Sequence, residues 1–245
     1  MNTAVIGSVL WYGGAAAASF AIVRQCRKPS WLPGRFFAWM MNSTHYAMTQ
    51  WALGHLTLAR DSVVLDVGCG GGRTIEQLAL LAPAGTVSGI DYSAASVAVA
   101  RRTNARAIST ARVDVRVGSV SSMPYADDTF DAVTAVETHY YWPNLVGDLR
   151  EVRRVLRPAG RLLMVAESYR GKRFGAAEVL VMRVLGSKLL TIDEHRAAIA
   201  AAGFSDVAVF EEKKKGWLCV VGVRSPEAEG VTNHVGKPRP TFATH

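Results

Sequence analysis

From residue 62 onward, short apolar runs rich in valine alternate with stretches whose apolar residues recur every three or four positions. The first pattern predicts buried strands and the second amphipathic helices. Strands are expected at 62–67, 86–91, 113–118, 130–136, 161–167, 207–211 and 218–223, and helices at 73–81, 94–107, 145–156 and 192–202. The alternation implies right-handed crossovers and therefore an α/β domain, built on a doubly wound, mostly parallel seven-stranded sheet covered on both faces. Only "KKKGW" joins the last two strands, too short for a crossover helix, so they are expected to form a C-terminal antiparallel hairpin. Gly203, after an alanine-rich run, marks a helix stop.

Three segments fall outside this rhythm. Residues 30–60 carry Trp31, Phe36, Phe37, Trp39, His45 and Trp51 and predict one or two aromatic helices, while 169–190 form an insertion after the fifth strand. In an open α/β sheet the binding crevice lies at the carboxyl ends of the strands, which both segments are placed to cap. The tail 225–245 is rich in proline, glycine and polar residues and is expected to be disordered, which leaves 30–224 as one domain.

Residues 3–23 contain no charge and are followed by Arg24, Arg27 and Lys28. That length suffices for a single membrane-spanning helix, and the basic flank would leave the domain on the cytoplasmic side. No basic stretch precedes the segment, which argues against a cleaved signal peptide. The competing expectation is a helix packed on the domain.

Composition adds less. A net charge of +8 would suit nucleic acid or an anionic surface, yet the basic residues come in short groups such as Arg150, Arg153, Arg154 and Arg157, without a nucleic-acid signature. They read as solvated faces, and no nucleic-acid partner is expected. Cys26, Cys69 and Cys219 are odd in number and widely separated, which points to neither a disulfide framework nor a metal site, and fits a reducing compartment.

The chemistry concentrates at "VLDVGCGGGR", 64–73. No Gly-Lys-Ser/Thr follows at the spacing a P-loop requires. A dinucleotide fingerprint begins at Gly68 and Gly70, but Arg73 stands where its third glycine belongs. The remaining pattern, Asp66-x-Gly68-x-Gly70, brings backbone close to a ligand and sets a carboxylate at a strand end, which suits an amino acid better than a pyrophosphate. Asp91, 25 residues on, closes the second strand where a carboxylate accepts bonds from ribose hydroxyls. Ribose plus amino acid points to S-adenosyl-L-methionine. As a helix N-cap, Asp91 has a structural reading as well.

The motifs "VLDVGCGGG", "VSGIDYS", "MPYADDTFDAVTAVETHYYWPNL" and "LREVRRVLRPAGRLLMVAE" resemble those of the class I S-adenosylmethionine-dependent methyltransferases, small-molecule type, over residues 62–167. The resemblance implies methionine and ribose contacts for Asp66, Gly68, Cys69 and Gly70, ribose binding for Asp91 and adenine stacking for Tyr92. Where that family often has an acid after the third strand, this chain has Ser119, so Ser119 or the Val120 amide is expected at adenine.

Methyl transfer from a sulfonium needs positioning and exclusion of water more than covalent help. An oxygen acceptor also wants a base, and in "VETHYYWPN" the titratable groups are His139, the first candidate, and Glu137, expected at the cofactor or loop. A structural prop is the other reading of His139. Tyr140, Tyr141 and Trp142 are expected to line an aromatic acceptor pocket or to pack beneath the cap, and His45, on the cap, to lie over cofactor or acceptor or to pack in the core; His195 reads as a surface or capping residue. The expected activity is methyl transfer to a small, lipophilic or aromatic acceptor. A nicotinamide-dependent oxidoreductase and a non-catalytic, membrane-tethered cofactor-binding protein are the alternatives.

Overall fold

The computed structural model describes residues 45–171, 182 and 186–225. The apolar segment 3–23, the first half of the expected cap 30–60, most of the expected cap 169–190 and the tail beyond 225 lie outside these residues. Among the described residues no helix is long and apolar enough to cross a membrane.

The order of elements is α1 (Tyr46–Leu53), β1 (Val63–Val67), α2 (Arg73–Leu81), β2 (Thr86–Asp91), α3 (Ala94–Thr103), α4 (Ala105–Ser109), β3 (Val113–Val117), β4 (Phe130–Val136), a 3-10 turn (His139–Tyr141), α5 (Leu145–Val155), β5 (Leu156–Ala166), α6 (Ile192–Ala201), β6 (Phe204–Glu212) and β7 (Trp217–Arg224). The seven strands lie in the order β3-β2-β1-β4-β5-β7-β6. The first five run parallel, and β7 pairs antiparallel with both β5 and β6. The predicted fold and its reversed closing strand are therefore both observed.

Side-chain alternation along the strands builds a core on each face. Val64 points to the layer holding Met48, Ile75, Leu78 and Ala100, whereas Leu65 and Val67 join Leu149, Val152 and Ile199 on the opposite side. Each such fully buried aliphatic side chain contributes about 1.5–3 kcal/mol relative to exposure. Burial on both faces explains why the strands read as nearly continuous apolar runs rather than alternating ones.

Two boundaries differ most from expectation. The helix expected over 94–107 is broken at Asn104, whose side-chain amide donates to the Gly72 and Ala100 carbonyls at 2.9 and 3.0 Å. This contact ties α3 to the glycine loop. Strand β5 begins at Leu156, five residues early, because Leu156 pairs with Phe130 before the register shifts at "RPAG". Close approach of α2 to the sheet, for which the missing third glycine seemed necessary, occurs elsewhere. A Cβ on Gly89 would lie 2.3 Å from Ile75 Cδ1, and one on Gly72 2.8 Å from Ala100 Cα.

Candidate functional site

Parallel strands deliver their carboxyl ends to one edge, and β1 to β4 end there around a cavity of about 240 Å³. Its lining comes from Val67 and Gly68 after β1, Ile90, Asp91 and Tyr92 at β2, Gly118, Ser119 and Val120 after β3, and Thr138, Tyr141, Trp142 and Pro143 after β4. The loop can turn this tightly because Gly68, Gly70 and Gly72 adopt positive φ of 71°, 51° and 82°. A Cβ on Gly68 would fall 2.1 Å from Thr138 Oγ1, so the Thr138 side chain, just after β4, packs directly on the loop backbone.

Asp91 organises this edge. Its Oδ2 accepts the Gly70 amide at 2.9 Å and its Oδ1 the Ser93 amide at 2.8 Å. Burial raises its pKa, while these two amides oppose the shift. A carboxylate offers roughly four acceptor positions, so a pair is left for hydroxyl donors. Beside it Tyr92 lines the cavity with its ring 43% exposed. The Ser119 hydroxyl accepts from the Ser121 amide at 3.2 Å and keeps its own hydrogen to donate. Space opens at Gly70, where an added Cβ would meet nothing within 4 Å. Among the described residues the lining contains no lysine or arginine, and its one charged side chain is an acid. The donor set thus suits an uncharged sugar and base rather than a pyrophosphate, as S-adenosylmethionine requires.

Asp66 and Cys69 occupy different places from those expected. Asp66 points to the Val64 side of the sheet and accepts the Thr134 hydroxyl at 2.6 Å. It is 2% exposed and outside the cavity lining, and burial, with some repulsion from Asp91, pushes its carboxyl up to about 7. Cys69 keeps its amide on the Ile90 carbonyl at 3.0 Å, but its sulfur packs over Gly89 and burial raises the thiol pKa. Both shape the loop from beneath it.

At the end of β4, Glu137 has a φ of 56° and its Oε1 accepts the Tyr140 hydroxyl at 2.8 Å and the Glu167 amide. Burial raises its pKa, partly offset by nearby His45. The Tyr140 hydroxyl in turn accepts the Ser168 amide at 3.2 Å, which stitches β4 to the chain after β5. Tyr140 is therefore a core residue, 2% exposed, and of the two tyrosines Tyr141 lines the cavity.

His139, read as first candidate base or as a structural prop, is bonded inside the protein as a prop would be. Its Nε2 lies 3.1 Å from His195 Nε2, and His195 Nδ1 lies 2.8 Å from the Thr191 carbonyl. A carbonyl only accepts, so His195 carries its proton on Nδ1, accepts through Nε2, and His139 donates. Burial first, then His195, lowers the His139 pKa well below the ordinary histidine value. His139 lies outside the cavity lining. His195, read as a surface or capping group, is 1% exposed and joins α6 to the turn after β4.

His45, just before α1, reaches the same edge, with Nε2 4.0 Å from Glu167 Oε2. Glu167 is a site residue that sequence reasoning left without a role, although its place at the end of an expected strand was the available signal. Thr138 and Pro143 were likewise missed, because lining depends on how the turn after β4 folds back.

Residues 65–164 match a family model described as a methyltransferase domain. The chain is 34% identical over 161 residues to methyltransferase GfsG of Streptomyces halstedii, covering 64% of this chain and 57% of that one. It is 32% identical over 164 residues to 27-O-demethylrifamycin SV methyltransferase of Amycolatopsis mediterranei, covering 64% and 58%. The chain spans about half the length of the curated relatives it matches. Among solved structures, a complex of a Haloferax volcanii methyltransferase with the Trm112 methyltransferase activator superposes with a TM-score of 0.68 at 20% identity, over 77% of this chain and 94% of that one. That likeness concerns the fold. Together these matches leave the nicotinamide-dependent alternative without support.

Proposed function

We propose that this chain, which carries a domain of the class I S-adenosylmethionine-dependent methyltransferase family, transfers a methyl group to a small, lipophilic or aromatic acceptor. The observation that carries the reading is the cavity at the ends of β1 to β4, whose lining includes Asp91, Tyr92, Tyr141 and Trp142. In this reading Asp91 holds the ribose hydroxyls while its amide bonds keep the glycine loop in place, Tyr92 faces the base, and Ser119 and the Val120 backbone meet the base edge. The bound donor supplies an electrophilic methyl carbon on a positively charged sulfur.

The residues of this chain act by placement. Tyr141 and Trp142 form an apolar wall that excludes water, and the Glu137–Tyr140–Ser168 linkage holds the ends of β4 and β5 in register. Preorganisation of this kind removes the entropic cost of aligning acceptor and donor. An oxygen acceptor is favoured by the relative named for an O-demethyl substrate. The test is calorimetry of the full chain with S-adenosylhomocysteine, followed by transfer of radiolabelled methyl from S-adenosylmethionine to a panel of hydroxylated lipophilic compounds. Binding with label in an extractable product supports the reading; absence of binding overturns it, and binding without turnover favours a non-catalytic module.

A further inference from the structure

Three side chains far apart in sequence converge beside the cavity: His45 ahead of α1, Glu137 at the end of β4 and Glu167 just after β5. Each offers one ligand atom, and these atoms all lie within 4.8 Å of one another. Imidazole nitrogens and carboxylate oxygens sit about 2.0–2.2 Å from a divalent ion, so ligands of one ion lie at most about 4.4 Å apart. A movement of a few tenths of an ångström in one side chain closes the set. Both hydrogen bonds that hold Glu137 fall on Oε1, from Tyr140 and from the Glu167 amide, which leaves Oε2 for a further partner. Two carboxylates converging on one half-buried point repel each other, and a cation or a shared proton relieves that repulsion.

We propose that His45, Glu137 and Glu167 form a binding site for one divalent first-row transition ion, which presents an acceptor hydroxyl to the methyl donor. Mixed nitrogen and oxygen ligation suits such ions better than magnesium or calcium, which prefer oxygen alone. Three protein ligands leave coordination positions for an outside oxygen. Glu137 directly precedes Thr138, a residue of the cavity lining, so the set lies next to that space in the chain. The ion lowers the pKa of a hydroxyl that ligates it. The proton leaves to water, an oxygen lone pair forms the new O–C bond, and the electron pair of the breaking C–S bond returns to sulfur. The role in transfer rests on the methyltransferase reading; the site itself does not.

The probe is Mn²⁺ alone, titrated into the chelator-treated full chain by calorimetry and electron paramagnetic resonance, with S-adenosylhomocysteine binding measured on the same samples. One Mn²⁺ per chain is expected, with affinity at least tenfold weaker in Glu167→Gln and in His45→Ala while both variants still bind S-adenosylhomocysteine. Glu167→Gln retains the backbone amide that Glu137 accepts, so it is the milder variant for folding. No stoichiometric Mn²⁺ on folded wild-type chain, or wild-type affinity in either variant, overturns the site. If Mn²⁺ binds as expected and S-adenosylhomocysteine does not, the site stands and the proposed activity fails.

Discussion

Asp91 accepts the Gly70 amide through one carboxylate oxygen and the Ser93 amide through the other, so a single side chain fixes the glycine loop to the start of α3. The same carboxylate faces the cavity and retains capacity for further donors. The structural role is thus observed, and the ligand-binding role proposed for Asp91 is compatible with it.

Asp91→Ala is therefore expected to weaken S-adenosylhomocysteine binding by about 1–3 kcal/mol, the scale for removing a partner from buried donors. Thermal stability should fall as well, because two amides lose their acceptor. Calorimetric titration and a melting curve on the same sample separate the effects. Unchanged affinity removes Asp91 from the ribose.

Gly68→Ala tests the contact between the loop and β4. The new methyl would sit 2.1 Å from Thr138 Oγ1 at a φ of 71°, and the conformational part alone costs on the order of 1–3 kcal/mol. Adding Thr138→Gly removes Oγ1 at 2.1 Å and Cβ at 2.7 Å and should relieve the clash but not the backbone strain, so the double variant is expected to melt between Gly68→Ala and wild type. A double variant no more stable than Gly68→Ala shows that the steric contact is unimportant.

His139→Asn tests the prop against the base. Loss of the His195 hydrogen bond is expected to cost about 1–3 kcal/mol of stability. Turnover at saturating donor, measured well below the melting temperature, should stay close to wild type. A collapse of kcat with stability intact would restore His139 to the chemistry.

The buried Asp66 predicts the direction of a pH effect. Its pKa is raised from 3.8 in the unfolded chain to about 7 in the folded one, so between these values the folded state binds the extra proton. The stabilising contribution is fully present below 3.8 and is lost as pH rises through about 7, at a slope of up to about 1.4 kcal/mol per pH unit. Asp66→Asn cannot ionise, so its stability relative to wild type should rise between pH 4 and pH 8. Denaturant unfolding of both proteins across that range checks the sign, and a constant difference rejects the assignment.

What the sequence determined by itself was the framework. Apolar runs of strand length between helical repeats dictate a parallel sheet buried on both faces, and the short "KKKGW" link dictates the closing hairpin, because these are local consequences of period and chain length. Asp91 and Gly68 were legible for the same reason: a strand end and a glycine turn are recognised within a few residues. Asp66 was misplaced because strand alternation puts it on the Val64 face, where Thr134 of the neighbouring strand meets it. Only the tertiary structure could decide that, and likewise pair His139 with His195 from 56 residues away, or bring His45 and Glu167 to the end of β4. Such contacts depend on how separate elements pack in three dimensions, and residue spacing along the chain carries no measure of that distance.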